Sequence, residues 1–343
     1  MRAADWEPPL DWRRITTIDA HTEGEPLRII TGGYPDLRGE TILERRRHAE
    51  EHFDSLRTAL MWEPRGHADM YGCILTPPVT AGADLGVLFL HNEGYSTMCG
   101  HGIIGLTTVV LQTGMFPRSA PETTLRIDTP AGLVTAHARI EGDRVRSVYF
   151  HNVPSFVLGL DQEVEVPGLG RVRYDLAFGG AFYAYVRAED AGLGCGPGDF
   201  RAQIEKGIAI KRAVMADRTI PHPFEEDLSF LYGVVFIGAA ESPDAHSRNV
   251  CVFAEGEVDR CPTGTSVSAR LAVHHARGEI GVGDELAFES IIGSRFRGRI
   301  VEATRFGPHA AVIPEVEGAA HITGRHEFLI DPDDELRDGF ILR

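Results

Sequence analysis

Residues 99–114 read CGHGIIGLTTVVLQTG, and residues 263–278 read TGTSVSARLAVHHARG. Each stretch runs sixteen residues from a side chain with a nucleophilic or hydrogen-bonding atom, Cys99 or Thr263, to a helix-terminating glycine, Gly114 or Gly278. Pro117 lies just beyond the first stop. Apolar residues occupy most sides of both segments: Ile103, Ile104, Leu106, Val109 and Val110 in one, Val267, Ala269, Leu271, Ala272, Val273 and Ala276 in the other. A helix that is apolar all round belongs inside a protein. The flanks match as well. IDAHTEGEPLRII from Ile18 parallels YDLAFGGAFYAYV from Tyr174, and TPAGLV around Gly132 parallels IIGSRF around Gly293. The pattern predicts an internal duplication with a period of about 160 residues, too long for a solenoid and right for two domains of one fold.

Between the matched segments, 38 glycines and 20 prolines cut the chain into short apolar runs such as GVLFLHN, RVRSVYFHNV, FYAYV and NVCVFA, the mark of many strands joined by turns. One further helix is expected in LERRRHAEEHFDSLRTALMW, with Leu56, Leu60 and Met61 on its apolar side. The expected fold class is therefore α/β (α+β), with two pseudo-symmetric domains, each a mostly antiparallel sheet wrapped around a central helix. The domains are expected at residues 1–155 and 156–327, with residues 328–343 returning to complete the first. The two helix starts should then face each other across an interdomain cleft.

Composition bounds the partners. The 343 residues are 43% hydrophobic and 24% charged, enough for sizeable cores in two domains. A formal net charge of −16 opposes a phosphate backbone, and the basic run Arg45-Arg46-Arg47 is answered by Glu50 and Glu51, so nucleic acid is not an expected partner. The most apolar segment, LSFLYGVVFIGAA from Leu228, is too short to span a bilayer and reads as a buried strand. The amino-terminal MRAADWEPPLDWRRITTID lacks the apolar centre of a signal peptide, which implies a cytoplasmic protein. Five cysteines (Cys73, Cys99, Cys195, Cys251, Cys261) without a CxxC pair are expected as free thiols.

The first N–H groups of a helix lack intrahelical partners, and with the helix dipole they attract a carboxylate. The N–H groups of Gly100, His101, Gly264 and Thr265 are therefore expected to bind a substrate carboxylate and stabilise charge spreading from its α-carbon. The same field is expected to lower the Cys99 pKa and make thiolate available at neutral pH, whereas Cys73, Cys195 and Cys251 read as core. His101 reads either as an imidazole offered to substrate or as a capping and packing residue. HTEGE (His21, Glu23, Glu25) and GHAD (His67, Asp69) lack the spacing of zinc or calcium motifs and read as turns, so no metal is expected. TGG at Thr31 and GTS at Gly264 lack the rest of a nucleotide-binding loop.

EGYSTMCGHGIIGL, IDAHTEGEPLRIITGG, EPRGHADMYG, VPSFV, AFGGAFYA and DRCPTGTSVSARLA resemble the proline racemase family, a branch of the diaminopimelate epimerase-like fold. The resemblance runs from about residue 15 to the carboxyl terminus and implies cofactor-free chemistry at the α-carbon of a proline derivative, often in a homodimer. Racemases and epimerases of the family use two cysteines, the second in a pattern like D-R-S-P-C-G-T-G. Here Asp259-Arg260-Cys261-Pro262-Thr263-Gly264-Thr265 puts Thr263 in that cysteine's place and Cys261 in place of the serine. Inversion needs a proton donor opposite the base, and a threonine hydroxyl is too weak an acid, whereas dehydration needs one base and a departing hydroxyl. The Cys99/Thr263 pairing resembles the branch of the family that removes water from trans-3-hydroxy-L-proline to give Δ1-pyrroline-2-carboxylate by way of Δ2-pyrroline-2-carboxylate. The resemblance also implies that Asp259 binds the ring ammonium, with Thr263 bonded to substrate or to the departing hydroxyl. Two alternatives stay open: an epimerase or racemase in which Cys261 swings into the role of second acid, and either a non-catalytic binder of proline derivatives or an isomerase of the broader fold acting on another small acid.

Overall fold

A computed structural model describes residues 6–342. Its helices are α1 (Ile42–Met61), α2 (Gly100–Gln112), α3 (Phe200–Asp217) and α4 (Gly264–Ala276), set among eighteen strands. Helix α1 opens with a capping box in which Thr41 accepts from the Glu44 N–H and Glu44 reaches back to the Thr41 N–H, satisfying two otherwise orphaned donors. No helix among the described residues is long and apolar enough to cross a membrane.

The duplication is visible strand by strand. In the first half, Arg13–Thr22 pairs antiparallel with Glu25–Gly32, which runs parallel to Tyr71–Thr76. Tyr71–Thr76 pairs antiparallel with Leu85–His91, itself parallel to Glu122–Thr129, and Gly132–Glu141 and Arg144–His151 follow antiparallel. In the second half the same sequence of pairings runs through Gly170–Phe178, Phe182–Arg187, Leu231–Gly238, Ser247–Phe253, Glu285–Glu289, Arg295–Phe306 and His309–Gly318. The architecture is mixed α/β and sheet-rich, as expected from the sequence.

Two strands cross between the halves. Ser155–Val166 leaves the first and pairs with both Gly170–Phe178 and His309–Gly318, closing the second sheet into a barrel. Ala320–Ile330 leaves the second and pairs along Arg13–Thr22.

Each barrel is filled by its helix. Every residue of α2 from Gly100 to Leu111 is buried, and so is every residue of α4 from Gly264 to His274. Ile103, Ile104, Leu106, Val109 and Val110 are fully buried, and each such side chain gains at most about 1.5–3 kcal/mol by leaving water. The stops fall as expected: Gly114 and Gly278 take positive φ (76° and 72°) just past the last turn. The apolar run at Leu228 contributes the strand Leu231–Gly238, whose first six residues are buried.

Helix α3 is not expected from the sequence. Its buried face is Gln203, Gly207, Ile210 and Val214, a stripe with helical spacing but only two apolar members. Gly207 is there because a Cβ would lie 2.8 Å from the Val252 side chain, and glycine inside a helix lowers its intrinsic propensity by about 1 kcal/mol. The segment's Ala, Lys, Arg, Glu and Gln residues favour a helix locally, and packing against the second barrel fixes its inner face.

Candidate active site

Helices α2 and α4 meet start to start. A Cβ at Gly100 would lie 2.6 Å from the Gly264 Cα, and a Cβ at Gly264 would lie 2.8 Å from the Gly100 Cα. Only glycine permits this backbone contact. The turn Gly179-Gly180 braces it: the Thr97 hydroxyl ahead of α2 donates to the Gly180 carbonyl (2.7 Å), while the Asn152 amide donates to the Gly179 carbonyl (2.8 Å) and to Ser268 of α4 (2.9 Å).

One small cavity, about 20 Å³, sits at this junction, lined by Cys99, Gly100, His101, Asp259, Thr263, Gly264 and Thr265 together with Tyr71, Met98, Tyr183, Tyr232 and Phe253. All the site residues expected from the sequence thus line one pocket. A larger cavity of about 390 Å³ beside Arg270 and Arg277 contains none of them. Space for about one water molecule means that the pocket must widen to admit a ring-sized ligand.

Cys99 caps α2, its Sγ accepting from the Gly102 N–H at 3.2 Å. The His101 Nδ1 lies 3.1 Å from the same sulfur. The expected low thiol pKa is corrected here. Burial pushes the Cys99 thiol well above its ordinary value; the Gly102 N–H and the Tyr71 hydroxyl pull it down, and the Asp259 and Glu25 carboxyl groups push it up again. The helix-start effect exists but loses to desolvation in a closed pocket. His101 is pushed the other way: burial holds its pKa below the ordinary imidazole value, with Asp259 opposing, so it stands neutral beside the thiol.

Thr263 caps α4 in a different manner. Its backbone is left-handed (φ 64°, ψ 94°), an uncommon state for a β-branched residue, and its side chain makes no cap to the helix. Instead the hydroxyl donates to Asp259 Oδ2 at 2.8 Å, while Asp259 Oδ1 accepts from the Cys261 N–H at 2.8 Å. Cys261 is fully buried and does not line the cavity. All five cysteines are free.

Some functional surroundings escaped the sequence reading. Tyr71, Tyr183 and Tyr232 form much of the pocket wall; Tyr71 hydrogen-bonds Ser96, and the Tyr183 hydroxyl lies 2.7 Å from Thr265 Oγ1. Tyr71 and Tyr183 sit inside the quoted EPRGHADMYG and AFGGAFYA blocks, the one available signal. HTEGE and GHAD do form turns, with Glu23 and Asp69 at positive φ. They also carry carboxylates to the site. Glu25 accepts the Arg260 N–H (2.6 Å), and Asp69 pairs with the Arg260 guanidinium (2.7 Å). Burial raises the Glu25 pKa well above its ordinary value, and Asp259 adds to the effect.

A family profile described as "Proline racemase" matches residues 17–341. The chain belongs to the proline racemase family. A relative from Bacillus cereus, described as trans-3-hydroxy-L-proline dehydratase, is 49% identical over 95% of this chain and 98% of its own length. One from Burkholderia multivorans, described as 3-hydroxyproline 2-epimerase, is 44% identical over 96% and 99%. Among solved structures, a hydroxyproline epimerase from Agrobacterium vitis with bound trans-4-hydroxy-L-proline superposes with a TM-score of 0.92 at 34% identity, covering 97% of this chain and 96% of that one.

Proposed function

We propose that this chain is a trans-3-hydroxy-L-proline dehydratase, a cofactor-independent hydro-lyase that forms Δ2-pyrroline-2-carboxylate, which tautomerises to Δ1-pyrroline-2-carboxylate. One observation carries the choice of dehydration over inversion: the helix start facing Cys99 presents the Thr263 hydroxyl, while the neighbouring thiol, Cys261, lies outside the pocket lining. The Bacillus cereus relative supports the substrate.

In this reading the substrate carboxylate takes the N–H groups of Gly100, His101, Gly264 and Thr265, and the ring ammonium takes Asp259. The Cys99 proton passes to His101 Nδ1, 3.1 Å away. The resulting thiolate removes the α-hydrogen; the C–H electron pair becomes the C2–C3 double bond and the C3–O bond breaks. Thr263 hydrogen-bonds the departing hydroxyl. The proton held by His101 completes the water, directly or through solvent, so thiol and neutral imidazole are restored. The helix-start N–H groups stabilise the carboxylate as charge spreads into it. The enzyme is further read as a cytoplasmic homodimer, which light scattering on the purified protein tests.

Incubation with trans-3-hydroxy-L-proline, trans-4-hydroxy-L-proline and L-proline in D2O tests the reaction. Cyclic imine from the first alone is expected. Inverted, α-deuterated product from either of the others would overturn the proposal.

A further inference from the structure

We propose that His101, Asp259 and Cys261 form a site for a borderline divalent cation, Zn2+ foremost, that competes with substrate for His101 and Asp259. One imidazole nitrogen, one carboxylate oxygen and one sulfur from these buried residues all lie within 4.8 Å of one another. They come from two elements, His101 from α2 and the other two from the loop ahead of α4. Nitrogen, oxygen and thiolate sulfur are the ligand types zinc takes in tetrahedral sites, with bonds of about 2.0–2.3 Å and hence ligand atoms about 3.5 Å apart. Closing on an ion therefore takes about 1 Å of side-chain movement, and three protein ligands leave the fourth position to water.

The surroundings favour a cation. The buried Asp259 carboxylate lies among the three ligand atoms, and the nearby Arg260 guanidinium is already paired with Asp69. Each Asp259 oxygen keeps a lone pair beyond its present hydrogen bond. The Cys261 thiol loses its proton to solvent when the ion binds. An ion held there occupies the imidazole and the carboxylate assigned to the reaction, so it blocks turnover. Cys261 has no part in that reaction, and a serine takes its position in the racemase pattern the sequence resembles.

The test titrates purified, metal-free protein with Co2+ and Zn2+. Co2+ is expected to bind once per chain with a near-ultraviolet thiolate-to-cobalt band, Zn2+ to displace it, and Zn2+ inhibition to be competitive with substrate. C261S should retain turnover, lose the band and bind Zn2+ at least tenfold more weakly; C261A should repeat the loss if serine still coordinates. Cobalt spectra without a thiolate band, a band that survives in both variants, or no binding at all would each overturn the proposal. The spectrum needs no turnover, so failure here and failure of the dehydratase reading are distinguishable.

Discussion

Substituting Gly100 by alanine isolates the contact on which the pocket depends. The change keeps the N–H group assigned to the substrate carboxylate and adds one methyl. That methyl would lie 2.6 Å from the Gly264 Cα, 3.0 Å from its carbonyl carbon and 3.1 Å from the Phe150 ring. Carbon atoms pack at about 3.5–4.0 Å, so the helix starts must part by about 1 Å, and neither neighbour is a flexible side-chain end. Overpacking of this kind costs about 1–3 kcal/mol, and a displacement of about 1 Å among catalytic groups costs about 100-fold in rate. Elsewhere in a helix, glycine to alanine gains up to about 1 kcal/mol, so even the sign is informative. Gly94→Ala is the control, because a Cβ there meets nothing within 4 Å. Urea unfolding and steady-state dehydration are measured on both variants. G100A with the stability and turnover of the parent would refute the backbone-to-backbone junction.

Cys99→Ser should lower kcat by about 10²–10⁴-fold with little change in KM, the range for loss of a general base; turnover near that of the parent excludes Cys99 as the base. Thr263→Cys should gain α-proton exchange with inverted product, and a variant showing neither weakens the account of why this chain dehydrates. Activity should need a neutral His101, whose pKa burial depresses, so kcat/KM should hold through the ordinary histidine range and fall only at lower pH; a fall centred at or above 6.5 contradicts this. Stability has its own acid limb: burial takes His222 and His274 down to about 4 from the ordinary histidine value of about 6.5, with repulsion from His309 and Arg270 adding to it. The unfolded chain therefore binds more protons in that window, and stability is lost as pH falls from 6.5 toward 4. The urea midpoint should drop across it, less so in H222Q/H274Q, and an equal drop in both proteins counts against these histidines.

What the sequence made legible were features that repeat or that violate ordinary exposure. Two helices apolar on every side can only be cores, and their shared beginnings at Cys99 and Thr263 locate the pocket before any coordinates. The hairpins around Gly132 and Gly293 hold equivalent places, as their matched distances from the helices indicated. Properties that depend on what arrives from afar were not legible. The Cys99 thiol feels burial and two distant carboxyl groups as well as its own helix. Glu25 has its pKa raised by burial first and by Asp259 and Asp69 after it, none of which its own sequence neighbourhood reveals. Tyr71, Tyr183 and Tyr232 look like ordinary strand residues until two barrels bring them to one wall. Helix α3 hides for the related reason that a glutamine and a glycine fill half of its inner stripe.

The exchange of Ser155–Val166 and Ala320–Ile330 between the halves bears on how the polypeptide is made. Arg13–Thr22 emerges from the ribosome early, yet one of its two neighbours is synthesised about 300 residues later, a wait of about 15–60 s at ordinary elongation rates. The amino-terminal barrel must pass that interval with an open edge, and its closure is a late, long-range event. Moving the chain ends so that Ala320–Ile330 precedes Arg13 would turn that pairing into a local hairpin, and refolding from urea should then be faster with the final architecture unchanged.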